Sequence, residues 1–263
     1  IPMNEAGELQ LENLAQLIDE RTRMVAVVHI SNSLGTINPI ETIIAEARRK
    51  NAPILIDGAQ SVAHQPIDVQ AMDCDFFVFS GHKLFGPTGI GVLYGKPERL
   101  EAMLPYQFGG DMIRMVSFEK TVFSKLPQKL EAGTPNIAGA IGLAKAIEYV
   151  QTLGLENIQQ YTSELLQYAT AKLSAIDGLR IVGNAPHKSS IISFLLDEVH
   201  PHDIGTILGE AGIAIRAGHH CTQPAMQFFG IPGTARASFS IYNTTEEIDQ
   251  LVLALHQVKT LFQ

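Results

Sequence analysis

Two short apolar runs limit how this chain can fold. Ile54-Leu55-Ile56 ends in Asp57, with Gln60 three positions on, and Phe76-Phe77-Val78-Phe79 delivers Ser80, His82 and Lys83 to a loop. Apolar runs this short, bounded by polar loops, read as buried strands. Ahead of them, Met24 to Ile30 is a Val-rich strand, and Ile40 to Lys50 is an amphipathic helix with Ile43, Ile44 and Ala47 on one face. Strand, helix and strand in that order predict a parallel sheet with right-handed crossovers. Such sheets bind ligands at the carboxyl ends of their strands. Asp57 and the Ser80–Lys83 group fall at two of those ends.

The rest of the chain continues the alternation. Leu9 to Glu20 reads as a helix through Leu11, Leu14, Leu17 and Ile18, and Ile90 to Tyr94 as a strand after the turn Gly86-Pro87-Thr88-Gly89. Residues 105–136 read as irregular loops over a site or a subunit contact. A helix is expected from Ala138 to Leu153, a break at Gly154, and a second helix to about Ile176. Strand and helix then alternate at Ile191–Leu196, Asp203–Ala211, Ala214–Ala217 and Thr222–Phe229, followed by a strand at Ala235–Tyr242. Thr244 and Glu247 form a capping box that opens the last helix, whose apolar face carries Ile248, Leu251, Val252, Leu255, Val258 and Phe262. The expected fold class is α/β: a mainly parallel sheet in residues 1–155, then a smaller α/β C-terminal domain in 156–263.

Composition excludes several roles. The net charge of −8 argues against nucleic-acid binding, which needs a basic patch. No apolar run reaches the roughly 18 residues of a membrane-spanning helix, and the polar start lacks the basic segment of a signal peptide. Two cysteines, Cys74 and Cys221, give no disulfide framework, so a reducing cytoplasm fits.

The strand-end residues suit a particular cofactor. A carboxylate on one strand end can keep a pyridinium nitrogen protonated, and an amine on the next can form a Schiff base with an aldehyde. Together they match pyridoxal phosphate, whose ring acts as an electron sink. Lys83, freed when an amino acid takes its place, is the natural proton carrier at Cα. Other polar residues have plainer readings. Cys74, next to a buried strand, is a core cysteine. His29 and His64 are hydrogen-bonded structural groups, and His200 and His202 are a helix cap and a surface group. His219-His220-Cys221 could belong to a zinc site, but the chain has no C-x-x-C or H-x-x-x-H pair to complete four ligands, so no metal is expected.

The stretch from Val27 to Tyr94 resembles the cofactor-binding core of fold-type I pyridoxal-phosphate enzymes, in the class V aminotransferase group. Arg216-Ala217-Gly218-His219-His220-Cys221 resembles the active-cysteine segment of group II cysteine desulfurases of the sulfur-mobilisation type, and Glu131-Ala132-Gly133-Thr134-Pro135-Asn136 is a third similar segment. The resemblance implies a homodimeric enzyme that takes sulfur from L-cysteine, leaves L-alanine, and carries the sulfur as a Cys221 persulfide to an acceptor protein of iron–sulfur assembly. Selenocysteine lyase activity, or a non-catalytic fragment of such an enzyme, are the alternatives. It implies that Gln60 meets the cofactor's phenolic oxygen, that Ser80 and His82 meet its phosphate, and that Asn32 touches its ring. Thr134 would reach a phosphate in the partner subunit. Arg236 is the first choice to clamp the substrate carboxylate, with Arg216 second, because a planar fork of donors matches a carboxylate. Arg216, His219, His220 and a helix beginning at Thr222 would favour the Cys221 thiolate. The resemblance also implies an N-terminal part ahead of Ile1, holding the start of the phosphate cup and a stacking aromatic ring. The 263-residue chain by itself is therefore expected to bind cofactor weakly.

Overall fold

The leucines at the start of the chain form one turn of helix only, α1 (Leu14–Leu17), in the computed structural model, which describes residues 1–262. The expected helix over Leu9–Glu20 is interrupted on both sides. Leu9 pairs with Met3 in an isolated bridge. Beyond α1, Asp19 accepts from the Arg21 amide at 2.9 Å, and Thr22 Oγ1 accepts from the Asp19 amide at 3.0 Å. That local side-chain turn competes with helical hydrogen bonding and wins.

The first sheet then forms as the apolar runs demand. β1 (Val25–Val28), β2 (Ile54–Asp57) and β3 (Phe76–Ser80) lie side by side in parallel. The β1–β2 crossover contains α2 (Ile40–Arg49), which buries Ile40, Ile43, Ile44 and Ala47. The β2–β3 crossover contains α3 (Val69–Met72), whose N-cap Asp68 accepts from the amides of Gln70 and Ala71, both at 2.9 Å. β4 (Gly91–Gly95) pairs antiparallel with β3. The connection between them holds only the short turn Gly81–Leu84 and a loop, too little chain for the dozen or so residues of a parallel crossover. The sheet order is β1-β2-β3-β4. Ile56 and Ile54 in its middle are fully buried, and truncating either to Ala would cost about 2–5 kcal/mol.

After α4 (Pro97–Ala102), residues 105–136 are less irregular than expected. They contain a hairpin of β5 (Ile113–Val116) and β6 (Thr121–Phe123). The hairpin is two strands with exposed side chains, so no core-facing alternation announces it: Met115, Val116 and Phe118 all face solvent.

α5 (Ile137–Leu153) and α6 (Leu155–Ser174) meet at Gly154, whose φ of 82° turns the chain between them. Leu143, Val150 and Ile158 pack on the first sheet's core, whereas Leu165, Ala169 and Leu173 join a second core. That second core lies on a four-stranded sheet of order β7-β8-β10-β9, made of β7 (Leu179–Val182), β8 (Ile191–Leu196), β9 (Arg216–Gly218) and β10 (Thr234–Ser238). All three pairings are antiparallel. β7 is four residues long and carries no sequence signal of its own. α7 (Pro201–Glu210), α8 (Gln223–Phe228) and α9 (Thr245–Phe262) complete this half. The α9 capping box is present: Glu247 N donates to Thr244 Oγ1 at 3.4 Å, and Thr244 N to Glu247 Oε2 at 3.2 Å. No helix among the described residues is long and apolar enough to cross a membrane.

Candidate active site

Asp57 is the last residue of β2, and its Oδ1 accepts from the Ala59 amide at 2.9 Å. The chain leaves the strand at Gly58, where a Cβ would lie 1.9 Å from the Phe77 ring, so no other residue allows this exit. Gln60 follows at the start of the turn Ser61–Ala63. On the neighbouring strand, Ser80 ends β3 and its Oγ lies 2.8 Å from His82 Nδ1. Lys83 stands exposed in the turn after β3 and has no ion-pair partner among the described residues. β2 and β3 are parallel neighbours in which Asp57 pairs with Val78. The two strand ends therefore open on one edge of the sheet, as the sequence predicts.

The loop leaving β1 ties this edge to the second half of the molecule. His29 N donates to Asp57 O at 2.9 Å, and three positions later Asn32 donates from Nδ2 to the His220 carbonyl at 2.7 Å. Asn32's own carbonyl accepts from Arg236 Nη1 at 2.7 Å, and the next carbonyl, Ser33, accepts from Ser193 Oγ at 2.5 Å. Arg236 and Ser193 are cross-strand partners on β10 and β8, so one row of the sheet grips two successive carbonyls. Arg216 is the partner of Arg236 on the other side, on β9. A second tie is aromatic: Phe85, just past Lys83, meets Tyr242 edge-on at 5.7 Å between ring centroids.

Arg236 is half-buried, and its Nε has no partner. Burial first, and then the charge of Arg216, lower its pKa. No carboxylate pairs with either arginine among the described residues. Nη1 is used by Asn32, which leaves Nη2 and the enclosed Nε without a partner.

Cys221 is exposed, with Sγ 3.8 Å from Arg216 Nη2. It sits on a strained loop: Gly218, His220 and Cys221 have φ of 119°, 52° and 62°. α8 begins at Gln223 with Thr222 as its N-cap, so Cys221 directly precedes the cap of a helix of six residues. One expectation needs correction: His220 is not a cation. It is 2% exposed, and its Nε2 lies 2.9 Å from Thr234 Oγ1 and 3.2 Å from Thr234 O. Burial, followed by the charge of Arg236, pushes its pKa down to about 4. His220 is thus a neutral strut beneath the loop, and Arg216 is the charged group in contact with the sulfur. Thr234, its partner, carries no sequence signal that could have singled it out.

Cys74 is fully buried, and its burial raises the thiol's pKa. His29 Nε2 lies 3.0 Å from Gln65 Nε2, His64 Nδ1 lies 3.4 Å from Ser190 Oγ, and His200 caps α7 by accepting from the His202 amide at 3.2 Å. Thr134 is exposed on the loop before α5 and makes no side-chain hydrogen bond to Ser80, His82 or Lys83.

The model of the class V aminotransferase family matches residues 1–251. The chain belongs to that family. Within this class V family, it is 53% identical over 260 residues to a cysteine desulfurase of Synechococcus elongatus, covering 99% of this chain and 42% of that relative. It is 51% identical over 262 residues to a cysteine desulfurase of an Enterobacter species, covering 99% of this chain and 64% of that relative. The chain thus spans less than two thirds of the length of the curated relatives it matches. Its fold superimposes on the crystal structure of the Escherichia coli cysteine desulfurase CsdA with a TM-score of 0.94 at 41% identity, covering 100% of this chain and 65% of that one. Class V enzymes of this kind depend on pyridoxal phosphate. The donor set here fits that cofactor: a carboxylate and an amine at adjoining strand ends, a hydroxyl–imidazole pair in the same turn as the amine, and a half-buried guanidinium whose Nε lacks a partner.

Proposed function

We propose that the protein carrying this chain is a pyridoxal-phosphate-dependent cysteine desulfurase. The observation that supports this reading most is one continuous set of contacts. It runs from the Asp57 strand end through Asn32 to Arg236 and to the loop holding an exposed Cys221 beside Arg216. Identity of about half to cysteine desulfurases across nearly the whole chain supports it independently.

When bound, the cofactor supplies an electron sink for negative charge at the substrate's Cα. Asp57 would keep the ring nitrogen protonated, Gln60 would meet the phenolic oxygen, Asn32 would touch the ring, and Ser80 and His82 would donate to the phosphate, with Thr134 doing so from the partner subunit. Lys83 would hold the cofactor and move the proton at Cα. Arg236 would clamp the substrate carboxylate, and Arg216 would stay with the sulfur. Cys221 Sγ bonds to the substrate sulfur as the substrate's C–S bond breaks, and protonation of the carbon fragment gives alanine. The sulfur leaves on Cys221 as a persulfide for an acceptor protein.

The same reading divides the chain near 155/156, in keeping with its two hydrophobic cores. It places the protein in the cytoplasm, where an exposed free thiol persists. It also takes the exposed Tyr106, Phe108 and Phe118 as part of a contact with a second copy.

The test uses the whole protein loaded with cofactor. With a thiol reductant present to release the persulfide sulfur, cysteine should yield alanine and sulfide, and peptide mapping after borohydride reduction should find the cofactor on Lys83. Lys83→Ala should lose the visible absorption of the bound cofactor, and Cys221→Ser should keep it while losing sulfide release from cysteine. Cofactor on another lysine, or undiminished sulfide release by Cys221→Ser, would overturn the reading.

A further inference from the structure

His219, His220, Cys221 and Thr222 form a tight turn, closed by Thr222 N donating to the His219 carbonyl at 2.8 Å. Thr222 Oγ1 donates to the same carbonyl, also at 2.8 Å. Both central residues are left-handed, with φ of 52° at His220 and 62° at Cys221. Turns with positive φ at both centres favour Asn and Gly. Other side chains crowd their own backbone in this region, so two in succession persist only where the surroundings hold them. Cys221 is exposed, so the restraint comes through the buried His220.

The His220 ring lies under the turn, with Nε2 2.9 Å from Thr234 Oγ1 and 3.2 Å from Thr234 O. A carbonyl oxygen only accepts, so Nε2 carries the ring's proton and donates into this pair of oxygens. Among the described residues Thr234 alone hydrogen-bonds the ring, since Nδ1 has no partner. Thr234 is itself fully buried at the start of β10, where it pairs with Gly218 on β9. The residue before it, Gly233, approaches so closely that a Cβ would stand 2.8 Å from the Gly218 carbonyl carbon. The strand end entering the turn is thus seated on the backbone of 233–234, and the ring at the turn's centre is tied to Thr234.

We propose that Thr234 is a positioning residue for the reaction at Cys221. Its two oxygens fix the His220 ring, the fixed ring keeps the turn left-handed, and the turn presents Sγ beside Arg216. This role deepens the desulfurase reading and rests on it for what the sulfur does. Without the hydroxyl the turn relaxes and Sγ leaves the guanidinium. Arg236, two residues on, keeps its own bond to Asn32, so substrate binding should not change with it.

The experiment uses the whole protein loaded with cofactor, with cysteine as substrate and a thiol reductant to release the sulfur. Thr234→Val removes the hydroxyl at nearly constant volume and should lower kcat about 3–10-fold, with KM within twofold of wild type. Thr234→Ser returns an oxygen and should bring kcat back to within twofold. Alkylation of Cys221 by iodoacetamide, measured without cysteine, should slow threefold or more in Thr234→Val and recover in Thr234→Ser. A wild-type protein that releases no sulfide would count against the desulfurase reading, and the alkylation rates would then decide the role of Thr234. If Thr234→Val does not fold, His220→Gln and His220→Leu replace it. The Gln side chain keeps a donor where Nε2 stands, so Cys221 should be alkylated at least threefold faster in His220→Gln than in His220→Leu. Alkylation within twofold of wild type in folded Thr234→Val, an equal loss in Thr234→Ser, or equal rates in the two His220 variants would overturn the proposal.

Discussion

Asn32 and His220 stand 188 positions apart in sequence and share a hydrogen bond of 2.7 Å, from the Asn32 amide to the His220 carbonyl. The bond anchors the residue before Cys221 to the loop leaving β1. A single hydrogen bond of this kind contributes about 0.5–1.5 kcal/mol. Asn32→Ala should therefore lower kcat/KM for cysteine by about 3–10-fold and slow persulfide formation on Cys221. If Asn32 also contacts the cofactor, the absorption spectrum will shift as well. Turnover within twofold of wild type would mean the loop holds its shape without this bond.

The two cysteines should differ sharply toward an alkylating agent. Cys221 is exposed and 3.8 Å from a guanidinium, whereas Cys74 is fully enclosed with its thiol pKa raised by burial. Iodoacetamide under native conditions should label one site, and peptide mapping should find it at Cys221. Arg216→Ala should slow that labelling by removing the charge beside the sulfur. Equal labelling of Cys74 in the folded protein would contradict the packing described here.

Arg236 should matter to substrate more than to fold. Losing a buried, charge-assisted contact to a carboxylate typically costs ~2–5 kcal/mol. Arg236→Ala should lower kcat/KM by ~30-fold or more, mainly through KM. Arg236→Lys should not recover it, because an ammonium cannot present two parallel donors. A loss under threefold would assign the carboxylate to Arg216.

His220 should make the fold sensitive to acid. Its pKa is about 4 in the folded protein against 6.5 ordinarily. In between, the unfolded chain takes up a proton that the folded chain refuses, so stability falls as pH drops from 6.5 toward 4. The loss is on the order of 3 kcal/mol once pH reaches about 4. His29 and His64, also lowered by burial, act in the same direction. The measurement is therefore the difference in Tm between wild type and His220→Asn, which should narrow as pH falls through this window. A constant difference from pH 7 to pH 4 would show that His220 does not titrate in the folded protein.

Much of the fold was legible because its signals are local. The runs Ile54–Ile56 and Phe76–Phe79 became parallel strands, α2 buried the face its apolar spacing marked, and Gly154 broke the long helical stretch. Local signals failed where neighbours decide. Leu9–Glu20 has helical spacing, but the Asp19–Thr22 turn cut the helix to one turn. The β5–β6 hairpin has exposed strands and so no buried alternation to read. β7 is too short to stand out until β8 pairs with it.

The sequence by itself determined which residues end the strands, because apolar runs of fixed length must stop where Asp57 and Ser80 begin. It also determined which cysteine belongs to the core. Only the tertiary structure decided that Asn32, Arg236 and His220 form one contact set, since residues so far apart meet through the sheet register of β8, β9 and β10. It also decided that His220 is neutral: the spacing Arg-x-x-x-His-Cys suggests a cation, whereas enclosure against Thr234 removes the water that would stabilise the charge.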